Sequence, residues 1–267
     1  MYRKRGRNCI LFLDYIENLT SIIGADTMKT QYENERISFK LVLLFLFVLL
    51  ISGCATTKEF SSIEKLNTDA NIQKIAVMPI GVTLSILTAG GVLEPQAEWT
   101  KNAEKNINYA MKIIDRNRNS SFVKYQQPEE TSSYYKTIIE HERLHRAIGQ
   151  AILFNKYQFP LPTKKDVFDW TLGSGTKAIK EYTNANYALF IYLKDSYSSG
   201  GRVLVQIFAA LLGVGVSGGQ QAGFASLVDL SSGDVVWFNY LSSTAGDLRT
   251  EEPALKTVEL LLKDLPD

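Results

Sequence analysis

One short, uninterrupted apolar run divides this chain into two unequal parts and limits where a folded domain can lie. Residues 41–51 read LVLLFLFVLLI, eleven apolar residues in succession, and the basic residues Lys29, Arg36 and Lys40 precede them. A helix needs about 20 apolar residues to cross the hydrocarbon core of a bilayer, so this run is too short for an ordinary membrane span. Its length and its basic flank are typical of a secretory signal peptide. We therefore expect residues 28–53 to be a signal peptide and the folded domain to follow it.

The residues after this run resemble the lipobox of bacterial lipoprotein precursors. Ile51, Ser52, Gly53 and Cys54 supply an aliphatic residue, two small residues and a cysteine. In that family the peptide is cut before the cysteine, the thiol is diacylated and the new amino terminus is acylated as well. The resemblance implies cleavage between Gly53 and Cys54 and palmitate-type acyl chains on Cys54. The three acyl chains that the resemblance implies exceed the two signals that stable membrane anchoring requires.

The residue after the cysteine bears on the choice of membrane. Lipoproteins that are retained in the inner membrane of many Gram-negative bacteria carry aspartate directly after the lipidated cysteine. In this chain the residue at that position is Ala55. The resemblance therefore favours an anchor in the outer membrane, on its periplasmic face, over the inner membrane.

The chain also contains an internal methionine upstream of the apolar run. A signal peptide that begins at Met28 would occupy residues 28–53, whereas one that begins at Met1 would have an awkward length of 53 residues. We expect translation to start at Met28, and residues 1–27 to be a misassigned extension.

Charge and cysteine content exclude several classes of function. The 29 basic and 28 acidic residues give a net charge of +1, so no broad positive field recruits nucleic acid. The two cysteines, Cys9 and Cys54, both precede the expected domain. A disulfide framework or a thiolate metal cluster is therefore not expected within it.

Hydrophobic periodicity predicts the elements of the domain at residues 73–267, which follows an expected polar tether at residues 54–72. Apolar, β-rich runs predict strands, the last two forming a hairpin, at 74–80, 122–125, 187–193, 224–230 and 235–241. Helical spacing predicts helices at 103–114, 131–155, 174–183 and after the candidate cap Thr250, with Pro253 in the first turn. We interpret 83–95 as a loop. The pattern predicts a single layered α/β or α+β domain with a central mixed sheet, a late β-hairpin and a C-terminal helix.

The opening strand and the late hairpin resemble those of periplasmic α/β lipoproteins of the curli-secretion and penicillin-binding-protein-activator type. The strand is KIAVMPI, and the hairpin signature comprises Leu227, Val228, Asp229, Gly233, Val235 and Trp237. Such proteins are parts of envelope assemblies and not enzymes. The resemblance therefore implies a non-enzymatic protein that binds an envelope protein or forms a homo-oligomer.

One motif offers enzymatic chemistry. His141, Glu142 and His145 match H-E-x-x-H, in which two imidazoles one helical turn apart bind Zn²⁺ and the glutamate acts as a base. Arg143 and Arg146 oppose a dication there. A catalytic zinc also needs a third protein ligand. The candidates are Asp166, Asp169 and Glu181, and none of them has a spacing from the motif that is diagnostic of a zinc site. We expect no metal or catalytic residues and interpret both histidines as packed or hydrogen-bonded; a membrane-tethered zinc hydrolase remains the alternative.

An apolar segment between glycine-rich flanks is the most informative feature inside the domain. Residues 203–216 are too few to span a bilayer and too apolar for a solvated loop. One interpretation is a buried core helix that joins two strands. The other is an insertion that contacts a protein partner or the lipid bilayer through Val203, Leu204, Phe208, Leu211 and Leu212.

Overall fold

The structure, a computed structural model, describes residues 55–66, 73–118, 121–164 and 167–267. The expected signal peptide at 28–53, the extension at 1–27 and the lipidation site Cys54 lie outside these ranges, as does Asp166. Every described residue belongs to the unit Cys54–Asp267.

Strands and helices alternate through most of the described residues. The strands are β1 (Ala55–Ser61), β2 (Lys74–Val77), β3 (Gly81–Leu87), β4 (Leu93–Pro95), β5 (Ser121–Lys124), β6 (Tyr187–Ser198), β7 (Gln221–Asp229) and β8 (Val235–Ser243). The α-helices are α1 (Ala97–Asp115), α2 (Tyr135–Ile152), α3 (Lys177–Thr183), α4 (Gly200–Leu211) and α5 (Glu251–Leu261). A π-helical segment, Leu153–Gln158, continues α2, and a 3₁₀ turn, Ser174–Thr176, leads into α3.

These strands form one mixed sheet in the order β1-β8-β7-β6-β2-β5. Strand β6 pairs in parallel with β2 along its first residues and with β3 along the rest, and it pairs antiparallel with β7 on its other side. Strand β4 is antiparallel to β3. The mixed sheet, the late hairpin and the C-terminal helix confirm the predicted fold class.

Helices cover both faces of the sheet, which explains why β6 is apolar without a break. Successive β6 side chains point to opposite faces: Leu189 packs with α1 and α5, whereas Phe190 packs with α2 and α3. The helices contribute fully buried residues to these two clusters, among them Ile107, Val258, Ile138 and Ile179. Burying an aliphatic side chain of this size stabilises the fold by about 1.5–3 kcal/mol.

The late hairpin forms as predicted, and one glycine explains its turn. Gly233 has a φ of +87°, and a Cβ there would lie 2.2 Å from the Gly173 carbonyl oxygen. The Asp229 carboxylate accepts a hydrogen bond from the Ser231 amide at 2.7 Å, which closes the start of the turn.

The prediction of a polar tether over 54–72 is wrong for its first residues. Ala55–Ser61 is a full edge strand that pairs with β8 from Ala55 opposite Ser243 to Ser61 opposite Trp237. The Trp237 indole also donates a hydrogen bond to the Glu59 carboxylate at 3.2 Å. An edge strand has one paired side only, so its polar composition did not reveal it.

The prediction of a loop over 83–95 is also wrong. Strand β3 alternates half-buried residues with the buried residues Val82 and Leu84, and β4 returns antiparallel after a turn in which Gly91 has a φ of +84°. The glycines that were interpreted as loop residues form this hairpin turn. Thr250 occupies the N-cap position of α5 as predicted, but its hydroxyl bonds to the Asp247 carbonyl and does not cap the helix.

The interpretation of residues 203–216 as a core helix is wrong as well. Helix α4 forms, but none of its residues is buried. Among the helices of the described ranges, none is both long enough and apolar enough to cross a membrane.

Candidate functional site

The H-E-x-x-H motif lies on α2, and its second histidine belongs to the core. The His145 side chain is buried, with 4% of its surface exposed, and its Nε2 is hydrogen-bonded to the Ser226 hydroxyl on β7. Its ring stacks on Phe190 of β6 with 4.5 Å between the ring centroids. His145 therefore joins α2 to two central strands.

The surroundings of His145 hold its ring neutral. Burial, assisted by the positive charge of Arg146, lowers the pKa of His145 to about 3. The neutral imidazole can pack in an apolar cluster, where a charged imidazolium would carry a large desolvation cost.

The first histidine of the motif is also engaged. His141 Nδ1 donates to the Thr137 carbonyl one turn earlier at 2.7 Å. The ring packs against the backbone of Gly175, where an added Cβ would lie 2.6 Å from Nε2. A glycine at this position lets the turn before α3 approach the histidine.

The Glu142 side chain lies beside Tyr125, in surroundings that differ from those of the two histidines. The Glu142 Oε1 and Tyr125 hydroxyl atoms are buried and make no hydrogen bond of normal geometry within the described part of the chain. Burial raises the pKa of Glu142, which the nearby Tyr125 and the charge of Arg143 offset only in part. Burial and the Glu142 charge raise the pKa of Tyr125 above its ordinary value.

A third metal ligand is not gathered beside the motif in the described ranges. Asp169 is exposed and pairs with Lys164 at 2.5 Å, and Glu181 is exposed to solvent. Among the residues that the structure describes, no group of three or more histidine, cysteine, aspartate or glutamate side chains is placed to hold a metal ion. The structure thus places the two histidines of the motif in contact with Ser226, Phe190, Thr137 and Gly175.

Helix α4 presents the largest set of exposed apolar side chains on any one element of the described chain. The five residues selected from the sequence, which we call the apolar face, have exposed fractions of 43% for Val203, 56% for Leu204, 63% for Phe208, 77% for Leu211 and 81% for Leu212. The structure therefore brings all five together on the surface.

The amphipathicity of α4 is reversed relative to an ordinary surface helix. Its polar residues face the protein: Arg202 donates from Nε and Nη2 to the Ser217 carbonyl at 3.0 and 2.8 Å, and Gln206 donates to the Val216 carbonyl at 3.3 Å. The apolar residues face outward. A surface helix normally turns its apolar stripe toward the core, so this arrangement leaves an unusual apolar patch on the surface.

A second exposed apolar feature lies next to α4 and was missed in the sequence. At the end of the β3–β4 turn, Val92 and Leu93 have exposed fractions of 60% and 55%. Arg202 Nη1 donates to the Ala89 carbonyl in this turn at 3.5 Å, which ties the turn to the start of α4. The sequence feature that could have indicated it is the apolar pair directly after Gly90 and Gly91. Its exposure becomes apparent only once the β3–β4 hairpin places the pair near the tip of the hairpin.

A polar cluster near the same strand ends was likewise missed. The buried Asp195 carboxylate accepts hydrogen bonds from the Tyr197 hydroxyl at 2.5 Å and from Gln221 at 2.9 Å. The Arg249 guanidinium lies 3.7 Å from the centroid of the Tyr197 ring and 4.9 Å from that of Trp99. These groups line a cleft of about 380 Å³. They are bonded to one another, so we interpret the cluster as structural.

Comparisons with known proteins find little similarity. No protein-family model matches the chain, and no curated protein matches it. A structure search finds the PelC dodecamer from Paraburkholderia phytofirmans, with 14% identity and a TM-score of 0.36 over 79% of this chain and 99% of that one. A methionine variant of the same dodecamer matches with 15% identity and a TM-score of 0.32 over 79% and 98% of the two chains. Similarity of this size carries no conclusion about the function or assembly of the present chain.

Proposed function

We propose that this chain is a lipoprotein held by acyl chains on Cys54 at the periplasmic face of the outer membrane, where it acts in envelope assembly by binding and not by catalysis. The anchor rests on the similarity of Ile51, Ser52, Gly53 and Cys54 to the lipobox and on the apolar run before them. Cleavage at that site would leave Cys54 as the first residue, directly before β1.

The observation that best supports a binding role is the exposure of the apolar face of α4. Leaving side chains such as Leu211 and Leu212 in water costs roughly 25 cal/mol per Å² of apolar surface, and an isolated soluble domain gains nothing from this exposure. The one motif with enzymatic chemistry instead has His145 in the core. The surface chemistry thus favours recognition of an apolar partner over turnover of a substrate.

Two classes of partner suit an apolar face on an anchored domain. One is a protein surface, from another envelope protein or from a second copy of this chain. The other is the lipid bilayer itself. Either partner would cover the apolar face and remove the cost of its exposure.

Replacement of the lipidated residue tests the proposal. Wild type and Cys54→Ser should be expressed in a Gram-negative host, labelled with palmitate and fractionated on a density gradient. We expect wild type to take up label and to sediment with the outer membrane, and the variant to take up none. Wild type that remains unlabelled and is recovered as a soluble species would contradict the proposed anchor; labelled wild type in the inner membrane would contradict only the choice of membrane.

A further inference from the structure

The strand register places the apolar helix at the end of the sheet where the chain emerges from its expected anchor. Ala55 at the start of β1 lies opposite Ser243 at the end of β8, which lies opposite Gln221 at the start of β7. Gln221 in turn lies opposite Asp195, in the last part of β6. Helix α4 connects the end of β6 to the start of β7, so it leaves the sheet at the end where β1 begins.

The β3–β4 turn lies at this end too. Strand β3 is parallel to β6, and its last residue, Leu87, is opposite Ser198, the last residue of β6. Val92 and Leu93 follow this end of β3. The two exposed apolar features therefore lie at one end of the sheet, together with the first residue after Cys54.

The distance between this sheet end and an acylated Cys54 is short because no flexible tether intervenes. Consecutive Cα atoms are about 3.8 Å apart, so Cys54 lies within that distance of Ala55, whose backbone is already paired in the sheet. Neighbouring strands are about 4.8 Å apart, which places the end of β6 roughly 14 Å from β1 across the sheet. Acyl chains inserted in a bilayer would hold this end of the domain close to the lipid.

The composition of the helix matches a lipid environment. Arg202 is the only charged residue among residues 200–219, and its guanidinium is bonded to carbonyls of the protein. No charged residue lies between 203 and 216. The 12 residues of α4 measure about 18 Å, which is too short to cross a bilayer, so the helix could contact only one leaflet.

We propose that the apolar face of α4, together with Val92 and Leu93, docks on the same bilayer leaflet that holds the acyl chains of Cys54. This inference rests on the proposed anchor, and it identifies the lipid bilayer as the partner of the exposed apolar face. The bilayer is favoured over a protein because the short link from Cys54 to β1 leaves little room for a protein between this end of the domain and the lipid. The domain would then have one fixed orientation on the membrane.

Site-specific fluorescence on the lipidated protein tests this docking. Single cysteines should be introduced as Phe208→Cys and Val92→Cys, with Ser232→Cys in the β7–β8 turn at the opposite end of the sheet as the matched exposed control. The mature protein, purified from membranes with Cys54 blocked by its acyl chain, is labelled with an environment-sensitive fluorophore. It is then reconstituted into phosphatidylethanolamine and phosphatidylglycerol vesicles, with or without nitroxide-labelled lipid.

Docking predicts a blue-shifted emission at 208 and 92 and a severalfold quenching by nitroxide lipid, with neither change at 232. Vesicle-bound protein whose labels at 208 and 92 resemble that at 232 would overturn the docking and leave the anchor intact. A blue shift at 208 without lipid quenching would identify a protein surface, such as a second copy, as the partner and would also overturn it. Reactive Cys54 and protein that does not bind vesicles would instead contradict the anchor.

Discussion

Ala55 pairs directly with Ser243, so the polypeptide enters the sheet one residue after the predicted lipidation site. Because Ser243 ends β8 beside the strand ends that hold α4, the start of β1 and the apolar face lie at one end of the sheet, and the proposed anchor would lie at that end too. If Cys54 is acylated as proposed, the orientation of the domain on the membrane would depend on the length of the link at Cys54.

A longer link should uncouple the apolar face from the bilayer. Insertion of ten glycine and serine residues between Cys54 and Ala55 adds a flexible connection with a root-mean-square length of about 17 Å. We expect vesicle binding to persist and the quenching of a fluorophore at residue 208 to decrease. A ten-residue insertion in the exposed β7–β8 turn, after Ser232, is the control and should leave the quenching unchanged. Equal quenching in both insertions would show that the short link does not contribute to docking.

His145 should make the fold sensitive to acid. The pKa of His145 is about 3 in the folded state against an ordinary value of 6.5, so between these values the unfolded chain binds a proton that the folded chain does not. The free energy of unfolding should therefore fall as the pH drops from about 6.5 toward 3, by up to about 1.4 kcal/mol per pH unit from this residue. Denaturant unfolding at several pH values measures this slope.

The variant His145→Gln isolates that contribution, because glutamine does not titrate. Burial raises the pKa values of Glu142 and Asp195, and these carboxyl groups act with the opposite sign, stabilising the fold as the pH falls through their folded-state pKa values. The pH slope of wild type minus that of His145→Gln removes both effects. Parallel slopes for wild type and His145→Gln would contradict a neutral, buried His145.

Gly149 in α2 should not tolerate a methyl group. An added Cβ would lie 2.0 Å from the ring of Phe224, a fully buried residue of β7. Although alanine is the better helix former by about 1 kcal/mol, we expect Gly149→Ala to destabilise the fold by about 1–3 kcal/mol through overpacking. Gly200→Ala at the start of α4 is the control, since nothing lies within 4 Å of its added Cβ. Thermal and denaturant unfolding compare the two variants; equal stabilities would contradict this packing.

Arg249 should not be replaceable by lysine. Its guanidinium lies over the Tyr197 ring at 3.7 Å from the centroid and 4.9 Å from that of Trp99, and it bonds to both carboxylate oxygens of Asp247, at 2.8 and 2.7 Å. Lysine keeps the charge but loses the planar stacking and the two-pronged bond, so Arg249→Lys should cost about 1 kcal/mol. Lys256→Gln, which removes a solvent-exposed pair with Glu252, should leave the free energy of unfolding nearly unchanged. Denaturant unfolding would refute the stacking role if Arg249→Lys were as mild as Lys256→Gln.

The sequence predicted the elements that are apolar along their length. Strand β6 and the β7–β8 hairpin are recognisable because their buried residues occur in uninterrupted runs. Strand β1 was missed because ATTKEFS is polar, and only its partner β8 makes it a strand. Strand β3 was missed because Gly90, Gly91 and Pro95 after it indicate a loop, although the alternation within β3 is itself typical of a strand.

The environment of the apolar segment could not be predicted from the segment itself. Residues 203–212 are apolar enough to form a core helix, and local sequence contains no information on whether another part of the chain covers them. The decisive observation is the inward direction of Arg202 and Gln206, which depends on the carbonyl groups of Ser217 and Val216. In the same way, the sequence placed His141 and His145 on one helix, but their different partners required the fold.

Mass spectrometry of the amino-terminal peptide of the mature, membrane-extracted protein tests the central claim most directly. The anchor predicts a first peptide that begins at Cys54, carries the mass of acyl groups on its thiol and amino group, and continues into Ala55. A peptide that runs from residues before Gly53 through an unmodified Cys54 would contradict the account.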